Sequence, residues 1–60
     1  MINIILKDGT EIRFPSEFVV YKDIPKDEFV VYREMRDPDS VWTFKMDNIE
    51  YLSIGGERII

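Results

Sequence analysis

The chain has 60 residues, of which 45% are hydrophobic and 33% are charged, and twelve Asp and Glu outnumber eight Lys and Arg to give a net charge of −4. This length suits one domain, and the balance of apolar and charged residues is that of a folded rather than a disordered protein. Cysteine and histidine are absent, which excludes disulfides and the Ser/His or Cys/His pairs of nucleophilic catalysis. We expect a non-enzymatic protein that uses no cofactor.

The opening residues 1–7 form a short apolar run without the basic segment of a signal peptide. The run is also too short to span a membrane. Together with the lack of cysteine, this predicts an intracellular, cytoplasmic protein with no membrane partner.

Short segments rich in β-branched and aromatic residues follow one another, and Pro15, Pro25 and Pro38 interrupt them. No window favours a helix of useful length. The spacing predicts one all-β domain over residues 1–60, either a small antiparallel meander or an SH3-like barrel, with five to six strands and one short 3₁₀ turn.

The register of the first hairpin follows from its apolar residues. A two-residue Asp8-Gly9 turn would place charged side chains opposite the apolar face of the first strand. A three-residue loop that begins at Lys7 sets Ile4 opposite Ile12 instead. Because a slip of one residue moves every side chain to the other face, the apolar match favours this loop, with Gly9 in a left-handed conformation.

Two similar segments, residues 17–22 and 28–33, read Glu-Phe-Val-Val-Tyr followed by a basic residue, and predict adjacent strands joined by a turn at residues 24–27. Both strands are apolar on both faces, so we expect cover on both sides, from a curled sheet or from a second subunit. We place a self-association interface on residues 29–35 or 18–21. The residues predicted to bind a protein partner are Val19, Tyr21, Val30, Tyr32 and Arg33.

The last third of the chain predicts a turn at residues 37–40 and then a strand over residues 41–46 with clean alternation. On that strand Trp42 and Phe44 share a face and are predicted to be core. Residues 47–50 form a capping-box pattern that predicts a 3₁₀ turn, and a strand over residues 51–54 precedes a turn at Gly55-Gly56. Asp37 and Asp39 are expected to form the turn rather than to bind a metal.

The order of strand 41–46, a 3₁₀ turn at 47–49 and strand 50–54 resembles the SH3-like and Sm-like small barrels. The opening residues 4–10 also look like short β-proteins of bacteria and their phages. The first resemblance implies a small barrel, and neither implies a functional residue.

These patterns favour a small binding or regulatory protein that acts through protein–protein interaction, as a homodimer, for example a phage or mobile-element inhibitor of a host protein. One alternative is an SH3-like or Sm-like nucleic-acid-binding module, and another is an acidic decoy of DNA. The net charge of −4 opposes the first, and basic residues interleaved with the carboxylates oppose the second. A nucleic-acid surface would need four basic residues on one face: Arg13, Arg33, Arg36 and Lys45.

Overall fold

Alternating apolar residues form seven strands and two 3₁₀ turns in a computed structural model that describes all residues from Met1 to Ile60. The prediction of an all-β domain is confirmed. The count of strands exceeds the predicted five or six, and a second 3₁₀ turn accompanies the predicted one. No helix in the chain is long and apolar enough to cross a membrane. In chain order the elements are β1 (Ile2–Leu6), β2 (Glu11–Phe14), β3 (Val19–Asp23), β4 (Glu28–Tyr32), the first 3₁₀ turn (Pro38–Ser40), β5 (Val41–Lys45), the second 3₁₀ turn (Met46–Asn48), β6 (Ile49–Ile54) and β7 (Glu57–Arg58).

The strands form two antiparallel sheets, ordered β2-β1-β6-β7 and β3-β4-β5, and no closed barrel. The three-stranded sheet is a meander of consecutive strands. In the four-stranded sheet β1 lies between β2 and β6, so the two ends of the chain meet in one sheet. The core includes Ile4 and Leu52 from the four-stranded sheet and Val31 from the three-stranded sheet, all fully buried.

The first hairpin has the predicted three-residue loop. Ile4 lies opposite Ile12, and Gly9 has a φ of +93°. The Gly9 N–H donates to the Leu6 carbonyl at 2.9 Å, and the Leu6 N–H donates to the Thr10 carbonyl at 2.8 Å. The left-handed glycine therefore closes a tight turn and a bulge together, as the apolar register requires.

The second hairpin also turns where predicted, but β4 ends at Tyr32, so the predicted strand to residue 35 is too long. The chain then enters a loop that buried Ser40 stabilises. The Ser40 hydroxyl accepts from the Glu34 N–H at 3.1 Å and donates to the Glu34 carbonyl at 2.8 Å. Asp37 caps the first 3₁₀ turn by accepting from the Asp39 N–H at 3.0 Å. The turn role predicted for Asp37 is confirmed.

An aromatic cluster lies between the sheets, centred on buried Phe14. The ring centroids of Phe18, Trp42 and Phe44 lie 5.2, 6.1 and 6.2 Å from that of Phe14. Phe44 is half-buried and packs against the core. Trp42 is 51% exposed, so the prediction that it is a core residue is wrong. It lies on β5, an edge strand of its sheet, and packs on the Phe14 ring while half of its surface stays open to solvent.

Candidate functional site

The solvent side of the three-stranded sheet, which we call the outer face, is built by strand alternation. Residues directly opposite each other in antiparallel strands point to the same side. Phe29 and Val31 of β4 point into the core, so the residues between and beside them point outward. The register arranges the outward side chains in two apolar rows and one charged row: Val19–Tyr32–Val41, Tyr21–Val30–Thr43, and Asp23–Glu28–Lys45.

The exposure of the two apolar rows differs between the edge and the centre of the sheet. On edge strand β3, Val19 is 51% exposed and Tyr21 is 41% exposed. Val30, on the central strand, is only 4% exposed, and Tyr32 is half-buried. The Tyr21 and Tyr32 rings lie 5.9 Å apart at 70°, the edge-to-face arrangement that aromatic pairs prefer. The outer face is therefore an apolar surface whose central residue is buried and whose residues on edge strand β3 are exposed.

Four of the five residues predicted to bind a partner therefore come together on one face: Val19, Tyr21, Val30 and Tyr32. Arg33 does not join them. It follows Tyr32, so alternation directs it to the opposite side of the sheet. Its guanidinium carbon lies 6.0 Å from the centroid of the Phe18 ring, where a cation–π interaction holds it away from the outer face.

The charged row was missed by reasoning that followed apolar residues alone. The Lys45 ammonium lies 3.2 Å from the Glu28 carboxylate, and the Glu28 side chain is the less exposed of the two. Asp23 is half-buried, and its carboxylate accepts from the Lys26 N–H at 3.4 Å. The turn predicted at residues 24–27 indicates this row, because a hairpin centred there sets Asp23 opposite Glu28.

The basic residues considered for nucleic-acid binding are not on one surface. Arg13 points to the solvent side of the four-stranded sheet, where it forms an ion pair with Glu11 at 3.3 Å. Lys45 lies on the outer face of the other sheet and pairs with Glu28. Each of these two bases is thus neutralised by a carboxylate on its own sheet.

The concave surface of the molecule is a depression of about 190 Å3 lined by Leu6, Lys7, Asp8 and Asn48. Pockets for small-molecule ligands typically measure about 300–1,000 Å3. The pKa of the Asp8 carboxyl is lowered because the Thr10 side chain and the Thr10 N–H, at 2.9 Å, hydrogen-bond to it. The depression is therefore a less suitable site than the outer face.

Comparisons with protein-family models, with curated protein sequences and with solved structures found no match.

Proposed function

We propose that this chain is a non-catalytic binding protein that associates with a protein partner through the outer face, and that a second copy of the chain is that partner. The exposure of Val19 and Tyr21 carries the proposal. These two apolar side chains lie open on a face whose central residue, Val30, is buried. Symmetric dimers are the commonest way for a chain to cover such a patch.

The size of the outer face sets the strength of association that we expect. Five residues per strand and three strands give a footprint of roughly 17 by 14 Å at the usual spacings of about 3.4 and 4.8 Å. A standard interface covers about 800 Å2 of accessible surface on each partner. The outer face is smaller than a standard interface, so we expect a weak, transient dimer.

Sedimentation velocity over a wide range of micromolar concentrations tests the proposal. We expect the wild type to pass from monomer to dimer across the range and Val19→Asp to stay monomeric, because a carboxylate within an apolar row cannot be buried without a partner. Ile59→Asp is a matched control: Ile59 is 50% exposed and lies at the end of the chain, beside the four-stranded sheet. A monomeric wild type, or equal dissociation by both variants, would contradict the proposal.

The exposed indole of Trp42 supports binding of single-stranded nucleic acid as a second candidate function, since bases stack on exposed aromatic rings. Trp42 is the single tryptophan, so its fluorescence reports directly on such stacking. Titration with mixed-sequence single-stranded DNA at low salt should quench this fluorescence, and added salt should reverse the quenching. Unchanged fluorescence would remove this candidate and leave protein binding.

A further inference from the structure

The outer face is polarised along its strands. The two apolar rows occupy the half nearer the β4–β5 loop, and the charged row lies at the end nearer the β3–β4 turn. A charge that is buried opposite an apolar side chain loses its hydration without gaining a partner. Any face-to-face pairing of two copies therefore has to keep each charged row away from the apolar rows of the other copy.

Two symmetric arrangements overlay the whole outer face, because the two-fold axis of such a dimer lies in the plane of the interface and crosses the centre of the face. An axis perpendicular to the strands lays the charged row of one copy on the Val19 row of the other. An axis parallel to the strands lays each row on its own counterpart and sets β3 of one copy over β5 of the other. Of these two, only the second keeps both apolar rows against apolar rows while the whole face is in contact.

Resting on the proposed function, we propose that two copies pair about an axis parallel to the strands, with Asp23 of each copy opposite the partner's Lys45. Asp23 lies on β3 and Lys45 on β5, at opposite ends of the same row, so the exchange of edges creates two equivalent ion pairs. Sheets that pack face to face lie about 10 Å apart and cross at about 30°. The flexible four-carbon stem of lysine can span that separation.

Glu28 limits the affinity of this arrangement. It lies on the central strand and would face its own counterpart across the axis. Its contact with Lys45 at 3.2 Å offsets part of that repulsion. The charged row holds two carboxylates and one ammonium, so each copy brings a net charge of −1 to this end of the interface. This residual repulsion agrees with the weak association expected from the area of the face.

Charge reversal tests the pairing directly. Asp23→Lys gives a chain with two bases at the ends of the row, and Lys45→Asp gives a chain with two acids there. Each variant alone should self-associate at least about tenfold more weakly than the wild type, because both ion pairs become like-charge pairs. A mixture of the two should form a heterodimer close to wild-type affinity, because each lysine then faces an aspartate. Sedimentation velocity with one variant fluorescently labelled measures all three affinities.

The outcomes separate this pairing from the proposed function. If Val19→Asp abolishes the dimer but the two charge variants form no heterodimer, the parallel axis is wrong and self-association through the outer face stands. If the wild type is monomeric, both proposals fall. Near-UV circular dichroism checks that the variants fold. Asp23→Asn keeps an oxygen acceptor for the Lys26 N–H and removes only the charge, so it should weaken the dimer about two- to fivefold; an unchanged affinity would overturn the ion pair.

Discussion

Replacement of Gly9 by alanine isolates the energetic contribution of the left-handed loop in the first hairpin. Gly9 has a φ of +93°, and a Cβ added there would meet no atom within 4 Å. The variant therefore has no steric clash to relieve, and its whole cost comes from the backbone conformation. That cost is about 1–2 kcal/mol for an L-residue in the left-handed region. For a domain of this size each kcal/mol lowers the Tm by roughly 4–8 °C.

Thermal and urea unfolding followed by far-UV circular dichroism measure the effect. Gly9→Asn should cost less than Gly9→Ala because asparagine tolerates positive φ, and Gly9→Val should cost most because its branched side chain does not. Asp27 supplies the inverse control, since it is the one non-glycine residue with positive φ, at 54°. Asp27→Gly should stabilise the fold by up to about 1 kcal/mol. If Gly9→Ala left the Tm unchanged, the left-handed loop would be refuted.

Two further predictions concern the core and the pH dependence of stability. Phe14→Ala should lower the free energy of unfolding by about 3–5 kcal/mol because buried Phe14 packs on three aromatic rings. This loss is comparable to the whole stability of a 60-residue domain. A native near-UV circular dichroism spectrum of this variant would contradict the packing. Thr10 lowers the pKa of Asp8 in the folded state, so the contribution of Asp8 to stability is present above the ordinary pKa of 3.8 and is lost as the pH falls through the lower folded value. Acid titration of the wild type and Asp8→Asn should show a smaller loss of stability in the variant, and identical curves would count against the Asp8–Thr10 interaction.

Local features of the fold could be predicted from the sequence because they depend on neighbouring residues. The first hairpin has one register that sets Ile4 against Ile12. A 3₁₀ turn predicted at residues 47–50 lies at Met46–Asn48, but the capping box is wrong, because no side chain caps this turn. Alternation likewise identified Val19 and Tyr21 as residues of one face. In each case the period of the strand or the chemistry of a turn decides the result within about ten residues.

Features that depend on the assembly of sheets could not be predicted in this way. Alternation shows that Trp42 and Phe44 share a face, but it does not show that Phe44 packs against the core while Trp42 stays 51% exposed. The strand predicted to reach residue 35 ends at Tyr32, and buried Ser40 binds Glu34 in the loop that follows. The exposure of Trp42 depends on how the two sheets pack, and the end of β4 depends on a loop hydrogen bond that strand alternation does not encode.

Both β3 and β4 carry apolar residues on both sides, but the two strands differ in how far the chain itself covers these residues. On β4 both sides are covered within one chain: Val31 faces the core, and Val30, on the outer face, is screened by the strands on either side. On β3 the outward Val19 and Tyr21 have a neighbouring strand on one side only, so they remain open. A partner therefore gains most of its apolar contact from β3, and the central strand supplies the rigid support. Because β5 lies at the opposite edge, a pairing that sets β3 on the partner's β5 covers the open flank of both copies at once.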